Sequence, residues 1–212
     1  MKTYTICLID LQIQRTVVIG GGHVAARKIE GLLAADAQVE VISPAIVLEI
    51  QHLVDIGKIF HTQRIYRDGD LEGAFLAIAA TNDLVVNQAV WNEATRRGCL
   101  INVVDDPAHS TFILPAVLQR GEMNVTVSTG GGSPALARRL RERLGNIIGI
   151  EYGVLTEILA ELRPELKASF PPGKARLQAA LRVVDSNILH VIQDQGRNAA
   201  LTYAREQLYQ QN

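Results

Sequence analysis

The sequence predicts an α/β protein whose parallel sheet is followed by a small α+β unit and a helical C-terminal domain. Three observations lead there. Short apolar runs alternate with segments of helical spacing as far as residue 105, a glycine-rich turn joins the first run to the first helix, and a hairpin-like pattern then gives way to helical periodicity. The expected divisions are 1–110, 111–148 and 149–212.

Thr16–Gly20 (TVVIG) is a β-branched run ending in glycine, and residues 24–35 follow with an apolar face of Val24, Ile29, Leu32 and Leu33, which reads as strand, turn, helix. Residues 39–43 (VEVIS) form the second expected strand, 46–56 the second helix, and 59–66 a weaker third strand before the turn-rich stretch 67–73. Residues 75–80 (FLAIAA) read as a buried strand. Residues 83–97 have helical spacing, with Asn82 as the expected N-cap and Gly98 as a stop, and 100–104 (LINVV) is the next strand. Alternation of this kind implies parallel pairing, because each parallel pair needs a crossover and the helix supplies it.

The pattern changes after Asp105. Residues 112–118 and 124–128 are strand-like, and the four residues 119–122 between them are too few for a crossover and suit an antiparallel hairpin. Ser133-Pro134 reads as an N-cap with proline at the first helical position, opening the arginine-rich helix 135–144. Helices are then expected over 150–170, 174–195 and 198–209, with Pro164 kinking or dividing the first.

Composition narrows the function classes. The 212 residues are 48% hydrophobic and 20% charged, and 21 Lys and Arg against 22 Asp and Glu give a formal charge of −1, which argues against a nucleic-acid-binding protein. No run of about 18 apolar residues is present and the start shows no signal-peptide cleavage pattern, so no membrane association and a cytoplasmic location are expected. Cys7 and Cys99 lack CxxC spacing, signal neither zinc nor a disulfide, and read as small apolar residues in a reducing compartment. His23, His52, His61, His109 and His190 show no metal-ligand spacing, and no metal site is expected.

The strongest local signal is Gly20-Gly21-Gly22-His23-Val24-Ala25, a GxGxxA between a strand and a helix, which makes the first unit Rossmann-type. Gly20 permits the tight turn, Gly22 lets backbone amides approach a pyrophosphate, and Ala25 allows close helix packing. The other reading is a glycine-rich turn without a ligand. The acidic residue expected about twenty positions on, to hold the ribose hydroxyls, is missing, since the second strand ends Ser43-Pro44-Ala45, and the residues give little basis for choosing NAD over NADP.

The second candidate is Asn102-Val103-Val104-Asp105-Asp106-Pro107, at the carboxyl end of what should be a central strand, where ligands of open α/β sheets gather. A carboxylate there can take a proton while hydride leaves a substrate. An ordinary Asp titrates near about 3.9, so a base working at neutrality needs burial or a nearby like charge, which Asp106 could supply. The alternative is a solvated turn before proline. His109 lies four residues after Asp105 and could be drawn into the same site. The loop Thr129–Ser133 is a second candidate anion site, and Arg138, Arg139, Arg141 and Arg143 after it cannot all share one helix face.

Taken together, VVIGGGHVAARK, LAIAATND, INVVDDP, FILPAV and VSTGGGSPALARRLRERL, in this order and spacing, resemble the precorrin-2 dehydrogenase family, the N-terminal module of siroheme synthases. The resemblance is specific to about Leu144 and beyond it rests on a helical tail of similar length. It implies that NAD takes a hydride from precorrin-2 to give sirohydrochlorin, with ferrous iron as a further substrate in members that go on to siroheme. It implies that Asp105 is the residue on which both activities depend. Gly20, Gly22, His23, Val24, Ser43, Pro44, Ala45, Thr81 and Asn82 are the expected cofactor contacts, and Ser128, Thr129, Gly130 and His109 the expected contacts to the tetrapyrrole. It further implies a homodimer joined through the α+β unit, which would then be a dimerisation unit, and a chain of this length would lack the methyltransferase domain fused in larger relatives. An alternative from another class is an NAD(H)-sensing binding module without catalysis.

Overall fold

The computed structural model describes residues 2–210. The chain divides into two compact units, Met1–Leu114 and Pro115–Asn212.

The first unit alternates β1 (Arg15–Ile19), α1 (His23–Leu33), β2 (Gln38–Ile42), α2 (Leu48–Asp55), β3 (Phe60–Thr62), β4 (Leu76–Ala79), α3 (Leu84–Arg97) and β5 (Leu100–Val103). All five strands are parallel, in the order β3-β2-β1-β4-β5, with Val18 opposite Val41 on one side and Ile78 on the other. This is the α/β Rossmann architecture. Side chains alternate across the sheet: Val18, Val39, Val41 and Ile78 pack with Ile29 of α1 and Ile50 of α2, while Val17, Ile19, Ile42, Ala77 and Ala79 pack with Val90 and Ala94 of α3. Helices therefore cover both faces, which is why β1 and β4 read as near-continuous apolar runs rather than alternating ones. Full burial of a residue such as Ile29 or Ile50 contributes about 1.5 to 3 kcal/mol.

Three expectations for this unit change. The N-cap of α3 is Asp83, not Asn82: its carboxylate accepts from the amides of Val85 (2.9 Å) and Val86 (3.2 Å), an ionised acceptor at the positive helix end. The third strand stops at Thr62, because Arg64 donates back to the Thr62 carbonyl and its guanidinium turns onto Asp70 at 2.6 and 2.7 Å. β5 is last in the strand order rather than central. Its outer side is covered by residues 110–112: Thr111 N donates to Ile101 O (2.8 Å), Asn102 Nδ2 to Phe112 O (3.0 Å) and Val103 N to Ser110 Oγ (3.0 Å). Of the two free cysteines, Cys99 is buried and Cys7 is exposed.

The second unit opens with the antiparallel pair β6 (Ala116–Arg120) and β7 (Met123–Val127), joined by Gly121-Glu122 alone, Gly121 taking φ 56°. The turn is shorter than the expected four residues and β6 starts later than residue 112, since Pro115 has no amide to give a ladder and Phe112 serves β5 instead. Then come α4 (Pro134–Gly145), α5 (Glu151–Ser169), α6 (Lys174–Val184) and α7 (Ile188–Tyr209). Ser133 caps α4 through Leu136 N at 3.2 Å. Pro164 does not divide α5: it and Ala160, whose carbonyl loses its partner, lie on the exposed side, while Leu155, Ile158 and Leu162 pack against α6 and α7. The helix expected over 174–195 instead breaks at 185–187, where Ser186 Oγ donates to Val183 O at 2.7 Å. The break expected near 196 is a kink inside α7, with Gly196 at φ 80°, ψ 179°.

Candidate active site

The loops that follow β1, β2, β4 and β5 all leave the carboxyl edge of the parallel sheet. β1 and β4 are neighbours there although β2 and β3 come between them in sequence, so the edge contains a topological switch point.

The glycine loop is wedged between two of the other loops. Gly20 has φ 118°, its amide donates to Ile42 O (3.0 Å), and a Cβ on it would stand 2.4 Å from Ala80 O. A Cβ on Gly21 would stand 2.1 Å from Ala45 O, and Gly21 O accepts from Val47 N at 2.8 Å. Gly22 differs: at φ −86°, ψ −178° it is the N-cap of α1, and a Cβ there meets nothing within 4 Å. No side chain caps α1 and no acidic residue lies in its first turn, so its leading amides stay open to an anion. An uncapped helix start behind an uncrowded glycine fits a dinucleotide pyrophosphate.

His23 is exposed and its Nδ1 donates to Glu49 Oε1 of α2 at 3.2 Å, and Val24 is half-buried behind it. Ser43 is buried, its hydroxyl donating to Ala45 O (2.7 Å) and its carbonyl accepting from His61 Nε2 (2.9 Å), which leaves Pro44 and Ala45 exposed. After β4, Thr81 Oγ1 accepts from Asp83 N at 2.8 Å and Thr81 O accepts from Asn87 Nδ2 at 3.0 Å, while Asn82 is exposed.

Asp105 ends the turn after β5, exposed and left-handed at φ 60°. Lys28 of α1 responds to it: burial, then the neighbouring Arg27, draw the ammonium below the ordinary lysine range, and the charge of Asp105 acts in the opposite direction. Asp106 is occupied differently from the expected like-charge role. Its carboxylate caps the 3-10 turn Pro107–His109 and accepts from His109 Nδ1 at 2.7 Å, and that hydrogen bond foremost holds its pKa below the usual carboxylate value. His109 is thus brought to Asp106, with its ring edge-on to Trp91 at 5.6 Å.

Ser128, Thr129 and Gly130 lie in the second unit. Ser128 Oγ accepts from Gly130 N (3.2 Å), Thr129 Oγ1 accepts from Ser133 N (3.0 Å), and Gly130 and Gly131 take φ 60° and 83°. Three of the four arginines that follow, Arg138, Arg139 and Arg141, converge on Glu142. Among the described residues no group of three or more His, Cys, Asp or Glu is placed to hold a metal, and no helix is long and apolar enough to cross a membrane.

Glu49, Lys28 and Asn87 were not singled out by sequence. Only Asn87 left a signal: it is a polar residue on the stripe that buries Val90 and Ala94, and its Oδ1 is buried with no partner among the described residues.

A profile of the "Putative NAD(P)-binding" family matches residues 7–116, and one described as "Sirohaem biosynthesis protein central" matches residues 120–147. The chain belongs to this NAD(P)-binding family of siroheme biosynthesis. Similar members include a siroheme synthase of Chromobacterium violaceum, 42% identical over 168 residues, covering 79% of this chain and 36% of that protein. The siroheme synthase of Nitrosococcus oceani is 36% identical over 206 residues, covering 96% of this chain and 44% of the relative. The chain thus spans less than half the length of the curated relatives it matches. Among solved structures, "SirC, precorrin-2 dehydrogenase" superimposes with a TM-score of 0.73 at 29% identity over 97% of both chains.

Proposed function

We propose that this chain oxidises precorrin-2 to sirohydrochlorin with NAD as hydride acceptor. The observation that carries the reading is the carboxyl edge of the sheet, where an uncapped helix start and an exposed carboxylate on a left-handed turn stand on the same side. The name of the SirC structure, which superimposes over 97% of the chain, supports the same reaction.

Gly20, Gly22, His23 and Val24 would hold the pyrophosphate through backbone amides, with Ser43, Pro44 and Ala45 on the adenosine side and Thr81 and Asn82 closing the loop after β4. NAD, when bound, supplies the acceptor for the two electrons that leave with hydrogen as hydride. Asp105 takes the proton lost in the same oxidation, with Lys28 within reach of its charge. Ser128, Thr129, Gly130 and His109 would face the tetrapyrrole. The homodimer is part of the proposal: β6 and β7 pair only with each other among the described residues, and Val117, Leu136, Ile147 and Ile150 are exposed. A two-stranded sheet with an apolar surround gains from a second copy. Ferrous iron insertion would be a later step on the same product.

The test is an anaerobic assay with precorrin-2 and NAD, followed by ferrous iron. Absorbance of NADH and of sirohydrochlorin should rise together, followed by that of siroheme once iron is added; the rate of the first step should fall by at least about a hundredfold in Asp105→Ala, as for loss of a general base, and the preparation should sediment as a dimer. Nucleotide retained with no tetrapyrrole consumed would favour the sensing module instead.

A further inference from the structure

We infer that Glu49, held by His23, is the carboxylate with which this chain selects the adenosine ribose of NAD against the 2′-phosphate of NADP. The inference rests on the cofactor reading above and deepens it.

In a dinucleotide fold an acidic residue at the end of the second strand normally accepts from the ribose hydroxyls. Here that position is taken by Ser43, Pro44 and Ala45, and the Ser43 hydroxyl is spent on Ala45 O at 2.7 Å. The segment 43–50 contains one ionisable side chain, Glu49, and no cation. Folding brings that carboxylate against the residue that follows the glycine loop. Val47 N is bonded to Gly21 O at 2.8 Å, and the packing of Gly21 on Ala45 locks the start of α2 against the glycine loop. Glu49 is in the first turn of α2, and its Oε1 accepts from Nδ1 of His23, the first residue of α1. One carboxylate oxygen is thereby engaged and the other has no partner among the described residues, in a side chain half exposed at the rim of the loop.

The chemistry follows from charge. A carboxylate accepts from a vicinal diol, whereas a 2′-phosphate offers it only negative oxygens and finds no arginine or lysine in this segment. His61 of β3 and Gln63 just after it already face the carbonyls of Ser43 and Pro44.

The experiment is a fluorescence titration of the intact chain with NADH and NADPH, in wild type, Glu49→Gln and the control Glu30→Gln. Both substituted positions are exposed, so folding is expected to survive and is checked by circular dichroism. Wild type and Glu30→Gln should bind NADH more tightly, and Glu49→Gln should shrink the NADH-to-NADPH preference by roughly tenfold, the worth of one hydrogen bond to a charged group. An unchanged preference in Glu49→Gln, or equal binding of both nucleotides by wild type, overturns the inference while leaving the cofactor reading standing. Failure of wild type to bind either nucleotide removes the cofactor reading and this one with it.

Discussion

Asp105 is held at φ 60°, a conformation that a side chain with a β-carbon pays for and that glycine adopts freely. A strained residue at the end of a sheet strand is a common mark of a site where position outweighs stability. Asp105→Gly should therefore unfold in urea at an equal or higher midpoint, with a gain of up to about 1 kcal/mol, while NADH formation is lost. A clear fall in stability would show that the turn needs the aspartate for folding. At this scale the glycines were legible because GxGxxA encodes chain geometry directly: Gly20 and Gly21 are forced by the nearness of Ala80 and Ala45. The Asp106–His109 pair was not, since it depends on a 3-10 turn that only the folded chain displays. Glu49 was hidden for a related reason, being brought to His23 across 26 positions.

The element most dependent on a single side chain is the stretch between β3 and β4. Glu93, fully buried on α3, accepts from Gly69 N (3.0 Å), Leu71 N (3.3 Å), Arg97 Nε (2.6 Å) and the Tyr66 hydroxyl, so one carboxylate satisfies donors from an otherwise irregular segment. That hydrogen bond and, above all, burial push the Tyr66 phenol upward, and it remains a donor. Glu93→Ala strands these donors and should cost about 3 to 5 kcal/mol, read from a urea midpoint, with hydrogen exchange rising first at residues 66–71. Strand and helix identities in the first unit were legible because covered parallel strands and amphipathic helices have distinct periods. The place of β5 at the sheet edge was not, because its outer side is covered by residues 110–112 and so is as apolar as an interior strand. The interruption at 185–187 was missed because apolar spacing runs through it without glycine or proline, whereas Gly196 announced its own kink.

At the scale of the whole molecule, each unit carries its own core, two clusters on the faces of the sheet in one and a helical cluster around Ile158, Val183 and Ile188 in the other. The change of pattern after Asp105 precedes the boundary between Leu114 and Pro115, and the chain divides into two units where three divisions were expected. The open amide end of α1, which no side chain among the described residues caps, bears on how long the protein survives. An anion that compensates it binds the folded form alone, so nucleotide at a hundred times its dissociation constant should add about 2.7 kcal/mol, seen as a raised melting temperature. Copies that find no dinucleotide would unfold more often and reach proteases sooner, and the steady level of this polypeptide would then follow the cell's supply of its own coenzyme.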